Sequence, residues 1–157
     1  MKPQIDISPK NLSALALMLN TLLADEYVLY TKTRNAHWNI EGPAFHALHL
    51  FFESQYEQLD EIIDEVAERV RALGHYALGT LNGFVKTARL DEPLLEFSNA
   101  KKMIQALLDD HETIIRILRK QVNEASENYK DAGTSDFLTG LLEQHEKMAW
   151  MLRSHLG

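Results

Sequence analysis

The sequence predicts an all-α fold, a four-helix bundle of two helical hairpins joined by a long crossover that contains a short helix. Three observations carry that expectation. Only seven glycines and four prolines punctuate the 157 residues, and the intervals between them are long. Within those intervals apolar residues recur at helical spacing, and none of them alternates as a half-buried strand would. The breaks are also unequal: two connections are short and one, residues 75–97, is long. Short connections make neighbouring helices antiparallel, whereas a long one lets the chain cross the bundle.

The first helix is expected to start at Ser8, whose hydroxyl can cap free amides, with Pro9 in the first turn where no donor is needed. Its apolar stripe is Leu12, Leu15, Leu19, Leu22 and Leu23, and it runs to about Asn39 before the Gly42–Pro43 break. A second helix from about Ala44 carries Leu48, Phe52, Leu59, Ile62, Ile63, Val66, Val70 and Leu73, and Gly74 suits a left-handed stop. A third begins near Ser98 on Met103, Leu107, Leu108, Ile114, Ile115, Leu118 and Val122, ending before Gly133. The fourth follows Thr134 or Ser135 as cap, with Phe137, Leu138, Leu141, Leu142, Met148, Ala149 and Leu152 inward. In the crossover, Leu90, Leu94, Leu95 and Phe97 call for burial, which is the reason to expect a short helix there. Two hairpins with one long crossover form the ferritin-like arrangement. No internal repeat or low-complexity segment appears, so residues 1–157 read as one domain.

A chain of this length buries enough surface to fold without a disulfide or structural metal. The absence of cysteine removes thiolate metal sites and cysteine nucleophiles, leaving imidazole and carboxylate as the strong metal ligands. No apolar run precedes Asp6, and no later segment approaches the roughly 20 uninterrupted apolar residues of a bilayer span. A cytoplasmic location without a membrane partner is therefore expected. A net charge of −7 opposes binding to a phosphate backbone unless basic residues cluster in a tail, and neither end supplies one.

Chemistry concentrates in "NAHWNIEGPAFHALHLFFE", residues 35–53, which holds His37, His46 and His49, three of the seven histidines, with Glu41 and Glu53. The Gly42–Pro43 turn is placed to fold His37 back toward His49. Further along the second helix stand Asp60, Asp64 and Glu68 at one-turn steps. Di-iron sites inside a bundle use Glu-x-x-His pairs, and no glutamate here has a histidine three residues on, so an intrachain site of that pattern is not expected. His49 and Glu68 are separated by roughly 28 Å of helix, too far to share one ion. Two copies of the helix, antiparallel across a two-fold axis near residues 57–59, would bring His49 and Glu53 of one against Asp64 and Glu68 of the other. On charge pattern alone, a solvated helix face is the better reading of Asp64 and Glu68.

The set His37-Trp38, Gly42-Pro43, His49, Glu53, Asp64 and Glu68 closely resembles the pattern of the Dps family, the DNA-binding proteins from starved cells or mini-ferritins. The resemblance spans nearly the whole chain, including the C-terminal "TSDFLTGLLEQHEKMAWMLRSHL". It implies a homododecameric shell built from two-fold dimers, with ferroxidase centres at the dimer interfaces. His37 and His49 would come from one subunit and Asp64 and Glu68 from its neighbour, with Glu53 at the remaining carboxylate position. Fe(II) would be oxidised, preferentially by hydrogen peroxide, and stored as a ferric mineral, protecting against oxidative stress. Trp38 would be a redox partner or an aromatic anchor. Zinc or another divalent ion could occupy the same donors, which do not select iron by affinity.

The resemblance also places Glu124, Glu127 and Asp131 where three-fold pores admit iron, although a solvated helix end explains them as well. His46 falls outside the ligand positions. His75, His111, His145 and His155 are isolated in sequence, and packed or hydrogen-bonded roles suit His111 and His145. DNA binding is not carried over, because two lysines beside Asp6 do not make a basic extension. The alternative function is a nucleoid-compacting DNA-binding structural protein with a vestigial metal site, and nucleoid association belongs to that alternative alone.

Overall fold

Local chemistry at the first break-point sets the first helix. Ser8 Oγ accepts from the Asn11 amide at 3.2 Å and Pro9 occupies the first turn, so α1 runs Pro9–Asn39. The chain reverses through Gly42, at φ +108°, into α2, Phe45–Ala72. Gly74 ends that helix region at φ +82°, and a Cβ there would also lie 2.4 Å from Pro3 Cδ, so two constraints require glycine. The computed structural model describes residues 3–93 and 99–157.

The crossover contains its short helix, α3, at Leu81–Thr87, capped by Thr80, whose Oγ1 accepts from the Gly83 amide at 3.1 Å. Its buried residue is Phe84, whereas Leu90 is buried in the bend that follows. Leu94, Leu95, Phe97 and Ser98 lie outside the described residues. Helix α4 spans Ala100–Asn123 with Asn99 as cap, then widens into a π turn at Glu124–Asn128. Helix α5 is Ala132–Ser154. Its cap is Asp131 rather than Thr134 or Ser135: the Asp131 carboxylate accepts from the Thr134 amide at 3.0 Å, and Lys130 at φ +60° turns the chain into that position. Gly133 therefore stands inside the first turn instead of marking the boundary.

Helices α1 and α2 pack as one hairpin, α4 and α5 as the other, and α3 lies on α1. The expected stripes meet in one continuous core, with Phe52, Leu15, Leu19, Leu59, Ile62 and Met103 fully enclosed. Ile63, Ile115, Val122 and Phe137 sit half-buried at its margin.

Polar residues on α1 tie down the crossover. Asp25, fully buried, accepts from the amides of Arg89 and Leu90 and from the Arg89 guanidinium at 2.6 Å. Lys32 donates to the Asp91 carbonyl at 2.9 Å and pairs with Asp110 on α4. Burial raises the Asp110 carboxyl pKa, an effect that Lys32 opposes. Asn20 holds the Tyr76 carbonyl and the Leu78 amide. By length and composition α1 is apolar enough to cross a membrane, although Ser13, Asn20, Thr21, Asp25 and Glu26 interrupt its apolar run. Two thirds of that apolar window is, however, buried against the rest of the chain, as in the core helix of a water-exposed bundle.

Candidate metal centre

The Gly42 turn brings the end of α1 against the start of α2, and there His37 and His49 stack with ring centroids 3.8 Å apart. Each clasps the other's backbone: His37 Nδ1 lies 2.8 Å from the His49 carbonyl, and His49 Nδ1 lies 2.9 Å from the His37 carbonyl. A carbonyl only accepts, so both Nδ1 atoms carry the hydrogen. Both Nε2 atoms then present a lone pair, the tautomer a metal ligand needs. His37 is almost fully buried and His49 half-buried, so the clasp fixes the rings before any ion arrives.

Glu53 lies one turn after His49 and is half-buried. One of its carboxylate oxygens accepts from the Tyr56 hydroxyl at 3.3 Å. The Tyr56 ring meets His37 edge-on at 5.1 Å. Partial burial and then the Glu53 charge raise the phenol's pKa above its ordinary 10, so it stays protonated near neutrality. Arg34, one turn before Trp38, lays its guanidinium 4.3 Å from the Tyr56 ring centre and 5.0 Å from that of Trp38. Trp38 itself is 63% exposed. Sequence reasoning missed Arg34 and Tyr56. Their signals were the one-turn spacing of Tyr30, Arg34 and Trp38 along α1 and the Glu53–Tyr56 step on α2.

Asp64 and Glu68 lie far along α2, exposed and without an ion-pair partner among the described residues. By helix rise they are roughly 22 and 28 Å from His49. Among the described residues no three histidine, aspartate or glutamate side chains converge on one point within the chain. One chain therefore offers two oriented imidazoles at one end of α2 and two free carboxylates near the other. The donor chemistry fits Fe(II), whose borderline character suits imidazole and whose ferric product suits carboxylate oxygen. His46 is exposed and joins neither group.

The remaining acidic candidates do not form a common ridge in the chain. Glu124 is half-buried and accepts from the Tyr129 hydroxyl at 3.1 Å, while Glu127 is exposed. Asp131 is buried, caps α5 and pairs with Arg69 at 3.2 Å. Burial works to raise its pKa, but the Thr134 hydroxyl and amide and the Arg69 guanidinium outweigh it and leave the value lowered. Its carboxylate is thus committed to local structure.

A second histidine pair lies in the middle of the bundle. His111 Nδ1 and His145 Nδ1 are 3.0 Å apart, and His145 Nε2 is 3.0 Å from Glu26 Oε1, all three residues being fully enclosed. Among the described residues Glu26 Oε2 and His111 Nε2 have no hydrogen-bond partner. Burial, and secondarily His145, holds the His111 pKa well below its ordinary 6.5.

The chain matches the family model of the ferritin-like domain over residues 16–157. An uncharacterized low temperature-induced protein of Nostoc sp. is 48% identical over 139 residues, which cover 88% of this chain and 78% of that one. The DNA protection during starvation protein 2 of Bacillus anthracis is 37% identical over 140 residues, covering 89% and 94%. Among solved structures, the Dps protein of Vibrio cholerae, described as one of the ferritin-like diiron-carboxylate proteins, superposes with a TM-score of 0.92. It is 33% identical, over 99% of this chain and 97% of that one.

Proposed function

The chain belongs to the ferritin-like family and to its Dps members, and on that footing we propose that it is an iron-oxidising, iron-storing mini-ferritin. Fe(II) is the substrate, hydrogen peroxide the preferred oxidant and a ferric mineral held in a shell of twelve copies the product. Each centre is shared: His37, His49 and Glu53 come from one chain and Asp64 and Glu68 from its two-fold partner. The observation that carries this reading is the reciprocal clasp of His37 and His49, which holds two Nε2 lone pairs ready at the end of the bundle. A purely structural histidine pair has no need of two matched tautomers facing away from their own hydrogen bonds.

Two imidazoles and a few carboxylates leave open positions on a bound ion, through which peroxide can reach it. Removing Fe(II) together with peroxide prevents the hydroxyl radical that the two would otherwise generate, which is the protective role. Glu124 and Glu127 serve cation uptake at the shell's three-fold pores, while Asp131 supports that region from within. The net charge of −7, repeated twelvefold, keeps the shell off duplex DNA. The shell works in the cytoplasm.

The test is to load the purified protein with Fe(II) under argon, add peroxide, and follow ferric absorbance and the solubility of the iron. Prompt oxidation with the iron kept in solution is expected. Iron that oxidises no faster than in buffer, or that precipitates, overturns the reading, and tight zinc binding without turnover would put a passive metal-binding bundle in its place. Retention of duplex DNA near neutral pH at ordinary salt would revive the nucleoid-compacting alternative.

A further inference from the structure

Hydrogen peroxide takes two electrons and two protons to become two water molecules, whereas one Fe(II) supplies a single electron. A centre holding only one iron must find the second electron in the protein or release a hydroxyl radical. The aromatic residues around His37 differ in their fitness to give it. Trp38 has the Arg34 guanidinium over its ring, and among the described residues its indole N–H has no acceptor. A cation against the ring opposes the positive charge that electron loss alone would leave. The Tyr30 hydroxyl accepts from Arg34 at 3.4 Å, and among the described residues it has no acceptor for the phenol proton.

Among the described aromatic residues around His37, Tyr56 combines a ring contact with that histidine and an acceptor for its proton. Its ring touches His37 edge-on at 5.1 Å, and its hydroxyl donates to Glu53 at 3.3 Å, a long bond of the kind that tightens when a site is loaded. Loss of the electron together with the proton yields a neutral radical, so the guanidinium 4.3 Å from the ring centre imposes no charge repulsion on the product. We propose that Tyr56 is the one-electron donor that completes peroxide reduction when a centre holds a single Fe(II), passing its proton to Glu53. This rests on the peroxide-driven reading given above.

The step balances. Fe(II) gives one electron and becomes Fe(III). Tyr56 gives one electron, and its phenolic O–H breaks, the proton moving through Glu53. With one further proton from solvent, the peroxide O–O bond breaks and two water molecules form. A later Fe(II) returns an electron to the tyrosyl radical, and a solvent proton restores the phenol.

The experiment mixes protein carrying less than one Fe(II) per centre with peroxide, freezes it within milliseconds and records the electron paramagnetic resonance spectrum. The wild-type chain is expected to give a tyrosyl radical whose hyperfine pattern collapses in protein grown on ring-deuterated tyrosine. Tyr56→Phe, a change that keeps the ring packing, should lose that signal and raise the yield of spin-trapped hydroxyl radical. Tyr30→Phe should keep the signal. Iron oxidation without a tyrosyl radical, or a radical that survives in Tyr56→Phe, overturns the inference alone. Failure of peroxide to oxidise the iron in wild-type protein removes the parent reading and this inference with it.

Discussion

The molecule contains two histidine pairs, and they differ in what their free nitrogens meet. His37 and His49 spend both Nδ1 atoms on backbone carbonyls at the end of the bundle and keep both Nε2 atoms available. His111 and His145 turn their Nδ1 atoms on each other in the centre of the bundle, and His145 spends its Nε2 on Glu26. Residue type is the same in both places; hydrogen-bond direction and burial suit one pair to the proposed metal chemistry and place the other in the core. Replacing each pair should therefore damage different properties.

The largest expected effect is on turnover at the outer pair. His37→Ala/His49→Ala should slow peroxide-driven Fe(II) oxidation at least about 100-fold, beyond the roughly 10–100-fold typical of losing a ligand's supporting partner. Stopped-flow absorbance measures it, and a rate within a few fold of wild type would erase the distinction between the pairs. The inner pair should answer in stability instead. His145→Ala leaves the enclosed Glu26 carboxylate without its partner and should cost about 3–5 kcal/mol in denaturant unfolding. Changing Glu26, His111 and His145 together to leucine should cost far less, since no polar group then remains to be satisfied.

Acid sharpens the contrast further. His111 resists protonation when folded, while the unfolded chain accepts a proton at the ordinary value near 6.5. Stability from this group is fully present above that value and is lost as pH falls below it toward the depressed folded pKa. Melting temperature should therefore decline from pH 7 to pH 5, and His111→Leu should flatten that decline. The smallest effect is at the α5 cap, where Asp131→Ala should cost about 1–2 kcal/mol. A loss of iron uptake with unchanged stability would instead return Asp131 to the pore.

Much of this was legible in the chain because it is local. Ser8–Pro9, Gly42–Pro43 and Gly74 mark boundaries through the chemistry of one or two residues, and the helix stripes follow from spacing. His37 and His49 could be paired because one tight turn separates them. Asp131 was missed as a cap because Thr134 and Ser135, just past a glycine, give a stronger local signal. The crossover helix was expected from its leucines, yet Phe84 forms its buried anchor by stacking on Tyr27 at 4.3 Å, a contact between residues distant in sequence. The Glu26–His145–His111 chain needs three helices, so no local pattern announces it. Tyr56 stands three residues after Glu53 in the chain, but Arg34 and His37 join them only through the packing of α1 on α2.

Subunit mixing tests the shared centre most directly. A chain carrying His37→Ala/His49→Ala and one carrying Asp64→Ala/Glu68→Ala are each inactive as homodimers if every centre takes its imidazoles and its distal carboxylates from different chains. Unfolded together and refolded, the mixed dimers should regain peroxide-driven Fe(II) oxidation, because one of their two centres then draws intact histidines from one chain and intact carboxylates from the other. A mixture that refolds into mixed dimers and stays inactive would contradict a centre built across two chains.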